Sequence, residues 1–248
     1  MRIAAISDIH GNLWALDAVL TDIARRNVDV TVNLGDILSG PLLPAETAER
    51  LMALNMPTIR GNHERQVLEH DPGRMGASDR WAHDHIAPAH REWIAALPST
   101  LRLQPDVLMV HGTPGSDLVY WMETVDERGQ RPATYAEVVE RAGDARASLI
   151  LCGHTHVPRT VLLDDGRLVL NPGSVGLQAY SDDLPFPHKA ENGSPHARYA
   201  IVERTAGGWA VEQYAVGYDW NAAAEVAQRN GRPEWAHALR TGRMSVET

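Results

Sequence analysis

Five short clusters constrain this chain more than any other feature of it: Asp8-Ile9-His10, Gly35-Asp36, Gly61-Asn62-His63-Glu64, His111-Gly112 and Gly153-His154-Thr155-His156. Each follows a run that reads as a β-strand, so a fold that uses all five must bring several strand ends to one place. The clusters offer Asp, His and Asn side chains and no thiol. That is the donor chemistry of a two-metal hydrolytic centre rather than a structural zinc site.

The spacing around the clusters predicts the elements that carry them. Ile3 to Ile6 reads as a first strand, and Leu13, Leu16, Val19, Leu20 and Ile23 recur at helical spacing behind an Asn12 cap. Val28 to Leu34 reads as a second strand, Pro44 to Leu54 as a helix with Pro in its first turn, and Pro57 to Ile59 as a brief third strand. This β-α-β-α-β opening builds a parallel sheet with its site at the carboxyl ends of the strands. Arg65 to Leu97 is helical with a break at Asp71-Pro72-Gly73, and Val107 to Val110 delivers His111. Residues 113–131 read as a loop, Pro132 to Ala142 as a helix and Leu149 to Cys152 as the strand before Gly153. Beyond it, Arg159 to Leu163, Arg167 to Leu170, Arg198 to Glu203 and Trp209 to Val216 are closely spaced strands with turn signals at Asp164-Asp165-Gly166 and Gly207-Gly208. The second half is expected to be mostly antiparallel, closed by helices at Asn221 to Gln228 and Pro233 to Leu239.

On an extended backbone residues i and i+2 face the same way, so Asp8 with His10 and His154 with His156 each set two donors on one side of the chain. Asp36 sits beside Gly35, which permits close backbone approach, and its carboxylate has two oxygens able to bridge cations. Asn62 adds a neutral amide oxygen and His111 a further imidazole. Two divalent cations bring four positive charges, of which Asp8 and Asp36 cancel two. The surplus favours a bridging anion and lowers the pKa of bound water. Phosphate ester hydrolysis uses both properties, because metals roughly 3.5 to 4 Å apart can clamp phosphoryl oxygens and hold an in-line nucleophile. His63, at a helix start beside Asn62, is placed to protonate the leaving oxygen.

Bulk properties narrow the field. The 248 residues, 44% hydrophobic and 22% charged, suit one α/β domain spanning 1–248. Lys and Arg total 23 against 32 Asp and Glu, a net charge of −9 that disfavours long nucleic acid as a partner. The single cysteine, Cys152, reads as a small core residue and fits a reducing compartment. The amino end reads as a strand and not a signal peptide, and no apolar run reaches the roughly 18 residues of a membrane span, so a cytoplasmic, membrane-free protein is expected.

Taken together, the clusters from Asp8 to His156 and the Asn171-Pro172-Gly173-Ser174 turn resemble the calcineurin-like metallophosphoesterases, in particular longer prokaryotic members of uncertain substrate. The resemblance implies an α/β fold of two packed mixed sheets flanked by helices, an αββα sandwich. It implies that Asp8, His10, Asp36 and His156 hold one metal, that Asp36, Asn62, His111 and His154 hold the other, and that His63 is the catalytic acid. Mn, Fe, Zn, Co or Ni suit such donors, with Mn the expected activating ion. Two departures stand out. Ile37-Leu38-Ser39-Gly40 lacks the Asp-Arg pair of the protein Ser/Thr phosphatases, so that subfamily is disfavoured and this loop offers His63 no carboxylate partner. It also places three residues, where many small bacterial members have four, between Asp36 and Gly40-Pro41.

The expected activity is hydrolysis of a small phosphodiester or nucleotide. A phosphomonoesterase and a diadenosine tetraphosphate hydrolase are the alternatives of the same class. The retromer subunit with this fold is a scaffold that lacks the His of the Asn-His motif, so His63 favours an enzyme; a nuclease is disfavoured by the acidic balance. Glu64 reads as a helix-start charge, and Gly173 and Ser174 as a turn against the site. His83, His85 and His90 read as a solvated or partly packed helix face. Segments 113–131 and 177–197, the latter with His188 and His196, are candidates for a lid or pocket rim. Tyr120, Trp121 and Tyr180 read as local packing, with base stacking as the functional alternative.

Overall fold

The computed structural model describes residues 1–245. Its first half runs β1 (Arg2–Ile6), α1 (Leu13–Ile23), β2 (Val30–Asn33), α2 (Pro44–Leu54), α3 (Asn62–Glu69), α4 (Ala77–His85), α5 (Pro88–Ala96), β3 (Leu101–Gln104) and β4 (Val107–Met109). There follow β5 (Glu123–Asp126), β6 (Gly129–Pro132), α6 (Tyr135–Ala142), β7 (Leu149–Leu151), β8 (Arg159–Leu162) and β9 (Leu168–Asn171). The chain closes with β10 (Ala179–Asp182), β11 (His188–Glu191), β12 (Ala197–Thr205), β13 (Gly208–Val216), α7 (Trp220–Arg229) and α8 (Pro233–Thr241).

Two mixed sheets form, in the orders β13-β12-β1-β2 and β3-β4-β7-β9-β8. In the first, β1 runs parallel to β2 and antiparallel to β12; in the second, β4, β7 and β9 are mutually parallel and β3 and β8 are antiparallel edges. Alternation along β1 explains the layering. Ile3 and Ala5 join Val32, Leu34, Met109, Leu149, Leu151, Leu170 and Val202 between the sheets, while Ala4 and Ile6 face Leu16, Val19, Leu51 and Ile94 under the helices. On the far side of the second sheet Ile150 and Val169 pack against Trp121 and Val138 of α6. Cys152 is buried in that layer as a core residue. A fourth cluster seats α7 and α8, through Ala224, Trp235 and Leu239, on Leu42, Leu177 and Ala179.

Three expectations change. The strand at Pro57 to Ile59 is reduced to one parallel bridge between Asn33 and Thr58. Residues 113–131 are not all loop, because β5 and β6 pair as a hairpin from Glu123 opposite Pro132 to Asp126 opposite Gly129, and α6 accordingly starts later, behind a Thr134 cap. Segment 177–197 holds a second hairpin, β10 with β11. Both hairpins are short and polar, half-exposed strands whose apolar alternation is too thin to register in the sequence. The late strands do run mostly antiparallel, with β7 and β9 as a parallel exception. No helix among the described residues is long and apolar enough to cross a membrane.

If the space between the sheets carries the fold, Leu151→Ala costs about 2–5 kcal/mol of unfolding free energy, as fully buried Leu truncations do. Leu162→Ala, on the exposed edge strand, should stay within about 0.5 kcal/mol. Urea midpoints compare the two, and similar losses would show that the sheets are not packed as described.

Candidate metal centre

The parallel strands of both sheets end at one edge, and their carboxyl ends deliver the clusters. Asp8 and His10 follow β1, Asp36 follows β2, His111 follows β4, His154 and His156 follow β7, and Asn62 and His63 open α3. Two groups of ligand atoms result, Asp8 with His10 and His156, and Asp36 with His111 and His154; within each, the atoms lie within 4.8 Å of one another. The Asn62 amide oxygen is 3.1 Å from His111 Nε2, beside the second group. All seven residues are therefore brought together. The pair His154 and His156 divides between the groups.

The local geometry is not the extended one. Asp8, His10, Asp36, His154 and His156 have φ between 52° and 71°, and they are five of the seven non-glycine residues with positive φ among the described residues. This left-handed conformation costs a non-glycine residue about 1–2 kcal/mol. Its concentration at the candidate ligands marks a site held in shape by its surroundings. Gly35 and Gly61 make the crossing possible. A Cβ on Gly61 would overlap the Asp36 carboxylate, and one on Gly35 would overlap the Gly61 backbone.

Hydrogen bonds fix which nitrogen of each ring faces the centre. His10 Nδ1 lies 2.7 Å from the Ser39 carbonyl, His111 Nδ1 2.8 Å from Leu34 and His156 Nδ1 2.8 Å from Leu177. Each Nδ1–H donates to its carbonyl, which leaves Nε2 as the inward nitrogen. His154 is the reverse, with Nε2 on the Leu118 carbonyl at 3.1 Å and Nδ1 inward. His10 and His156 then present bare Nε2 lone pairs to each other across 3.0 Å. Asp8 Oδ2 is buried with no hydrogen-bond partner. Lone pairs and a carboxylate converging without a donor between them are the arrangement a divalent cation satisfies, and the nitrogen and oxygen donors suit a borderline transition metal.

Electrostatics with protein groups alone point the same way for three of the rings, whereas burial would lower His111 but Asp36, 3.0 Å from its Nε2, raises it to about 9, so that a cation there would displace a proton. Burial lowers His10 to about 4 and His154 to about 3, and holds His156 well below its ordinary value, so these rings are neutral donors at neutral pH. Burial raises Asp8 to about 7. Burial would likewise raise Asp36, but His111 and His63 outweigh it and hold the carboxyl well below its usual range.

His63 stands at the cavity edge with its Nδ1 2.7 Å from Asp79 Oδ1 and its Nε2 4.0 Å from Asp36 Oδ2. Burial would lower this imidazole, yet the carboxylates of Asp36 and Asp79 raise it to about 10. The partner that the Ile37-Leu38-Ser39 loop lacks thus comes from α4. Nothing local in the sequence marks Asp79, because it lies 16 positions beyond His63 and the chain between them folds back through the Asp71-Pro72-Gly73 break.

Glu64 is more than a helix-start charge. Its carboxylate is buried and accepts the backbone N–H groups of Asp36, Ile37, Leu38 and Gly61 at 2.7 to 3.3 Å, so it ties the loop after β2 to the start of α3. Ser174 acts as the turn expected of it, donating to the Asp8 carbonyl at 2.7 Å.

A cavity of about 900 Å³ lies over this floor. His10, Asp36, Asn62, His63, His154 and His156 form its base. Leu118, Val119 and Tyr120 form one wall, and Leu177 to Leu184 with Tyr180 continue it. Tyr120 and Tyr180 stand edge-on to His154 and His156 at 4.8 and 4.7 Å, whereas Trp121 is core. His188 meets Tyr120 OH at 3.0 Å from behind this wall, and His196 pairs with Ser194. His83 and His85 pack locally, on Asp84 and Trp81, and His90 caps α5 at Ala87. The third wall comes from α8 and α4, with Ser78, Arg232, Glu234 and Trp235.

Comparison with known proteins places this geometry. The calcineurin-like phosphoesterase superfamily domain matches residues 1–186. An uncharacterized protein of Methanocaldococcus jannaschii is 30% identical over 244 residues, 94% of each chain. A crystal structure of a metallophosphoesterase from Sphaerobacter thermophilus aligns with a TM-score of 0.75 at 26% identity, covering 98% of this chain and 100% of that one. A putative diadenosine tetraphosphatase shares the fold, with a TM-score of 0.53 at 16% identity over 87% of this chain and 94% of its own.

Glu64→Gln replaces an acceptor that serves four N–H groups with an amide that must aim a donor at them. Metal-free Glu64→Gln protein should lose about 1–3 kcal/mol of stability in urea denaturation. An unchanged midpoint would show that Glu64 does not hold the two loops together.

Proposed function

The chain belongs to the calcineurin-like phosphoesterase superfamily, and from that premise we propose that it hydrolyses a small phosphodiester or nucleotide at a centre of two divalent metals. The observation that carries the proposal is the meeting of two His/Asp ligand groups on the floor of one cavity with His63 at its edge. Asp8, His10 and His156 would hold one cation, and Asn62, His111 and His154 the other, with Asp36 shared between them. Such cations supply Lewis-acid polarisation of phosphoryl oxygens and a lowered pKa for water at the site, with Mn, Fe, Zn, Co or Ni all suited to the donors and Mn the expected activator.

The protein's own groups complete the chemistry. As water oxygen bonds to phosphorus and the bond to the leaving oxygen breaks, charge collects on that oxygen. His63 Nε2 carries the proton that neutralises it, because Nδ1 is engaged with Asp79. The Asp79 carboxylate orients the ring and favours its protonated form. The paired His63 and Asp79 support an enzyme over a scaffold of the same fold. The cavity, far larger than one phosphate and bounded by dissimilar walls, supports a diester over a simple monoester. The hairpin β10–β11 and the segment before β5 would serve as its rim.

Asp36→Ala removes the shared carboxylate and should lower the metal content at both positions. Elemental analysis of protein reconstituted with Mn and freed of excess ion checks this, and two fully bound ions in the variant would refute the sharing.

A nitrophenolate leaves without protonation, whereas an alkyl or nucleoside alkoxide needs a proton. His63→Gln should keep both metals yet slow a nucleoside diester about 10²- to 10⁴-fold, with a much smaller loss on a nitrophenyl ester. Asp79→Asn should show the same selectivity to a lesser degree. The measurement is kcat/KM on both substrates, and equal losses on the two would remove His63 from the role of acid.

A further inference from the structure

Among the described residues, Arg232 is the arginine available in the cavity. Two arginines among the described residues line the cavity, Arg141 and Arg232. Arg141 is committed to the protein, with Nη1 on the carbonyls of Trp121 and Glu123 and Nη2 on Thr124 Oγ1 at 2.8 to 2.9 Å. Arg232 is not. Its Nε meets Glu234, and its Nη1 donates to Ser78 Oγ at 3.2 Å. A guanidinium carries five N–H donors, so three remain on a side chain that is 22% exposed. Because Ser78 accepts from Arg232, its own hydroxyl hydrogen stays free to donate. Trp235, whose ring lies 5.7 Å from the guanidinium carbon, adds an indole to the same wall.

The place of this wall relative to the proton donor gives it meaning. Ser78 adjoins Asp79, and Asp79 holds His63, so Arg232 stands on the side from which the leaving group is protonated. The opposite wall offers Leu118, Val119, Leu184 and Pro185 and, among the described residues, no free cation. A planar fork of free N–H groups beside a hydroxyl is suited to phosphate, which accepts two parallel bonds. We infer that Arg232 and Ser78 form a subsite for a second phosphate carried on the leaving half of the substrate, with Trp235 beside that half. The preferred substrate is then a phosphodiester whose leaving alcohol is itself phosphorylated, such as a 5′-phosphorylated dinucleotide cleaved at the 3′-oxygen. Glu234 fixes the guanidinium by an ion pair that is 22% and 39% exposed and therefore weak, and its carboxylate opposes the incoming anion. This inference rests on the phosphoesterase reading and adds a substrate class to it.

The test uses the full chain reconstituted with Mn²⁺ and two substrates, the dinucleotide ApA and its 5′-phosphorylated form pApA. Calorimetric Kd values for their slowly hydrolysed phosphorothioate-linked counterparts give a second readout. Charge-assisted bonds of this kind predict a preference of about 10- to 100-fold for pApA in the wild type. Arg232→Gln should bring the ratio near one in both kcat/KM and Kd. Arg232→Lys, which keeps the charge and loses the fork, should fall between, and Glu234→Gln should increase the preference. Equal handling of the two compounds by the wild type, or a preference that survives Arg232→Gln, would overturn the subsite. Failure of the wild type to hydrolyse these substrates and bis(p-nitrophenyl) phosphate would instead count against the phosphoesterase reading, and the Kd ratio would still decide for or against Arg232.

Discussion

His10 and His156 turn bare Nε2 lone pairs toward each other because both rings have given their Nδ1 hydrogens to backbone carbonyls, those of Ser39 and Leu177. Neutral rings so placed repel, and protonating either is opposed by burial. Asp8 beside them is buried with an oxygen that no donor meets. A group of this kind persists only where the rest of the protein enforces it and where a cation can resolve it. The fold can be understood as the frame that holds these atoms in place.

That frame has two parts. The sheets bury Leu149, Leu151, Leu170 and Val202 against Ile3, Val32 and Leu34, and so fix where β1, β2, β4 and β7 end. The loops then turn sharply enough that five of the candidate ligands adopt left-handed φ. Glu64 answers the second need by gathering the N–H groups of Asp36, Ile37, Leu38 and Gly61 onto one buried carboxylate. Packing places the strand ends to within a few ångströms, and hydrogen bonding sets the angles of individual side chains.

The third wall of the cavity draws on a later stretch of the chain. The superfamily domain model matches residues 1–186, whereas similarity to the Methanocaldococcus jannaschii and Sphaerobacter thermophilus proteins continues into the stretch that holds α7 and α8, and the start of α8 contributes Arg232 and Trp235 to the cavity. The two helices are held by an apolar seam of alanines with Trp235 and Leu239 on Leu42, Leu177 and Ala179. The candidate ligands, from Asp8 to His156, all lie within the matched domain, and the wall beside His63 comes in part from beyond it. Substrate choice is the property a wall of this kind can set without disturbing the ligands.

The sequence alone determined the order of the main strands and helices, and it named the seven candidate ligands and His63. The reason is that apolar runs and helical spacing are local signals, and each cluster sits directly after such a run. It left unseen the hairpins β5–β6 and β10–β11, whose short polar strands have little periodicity. It also missed the left-handed turns at the ligands, since a backbone held in strain by its surroundings leaves no local mark. Only the tertiary structure decided that Asp79 would orient His63, that Glu64 would tie two loops together, and that Arg232 would reach Ser78 from 154 residues away. Those contacts arise where separately folded helices dock, and docking depends on shapes that spacing along the chain does not encode.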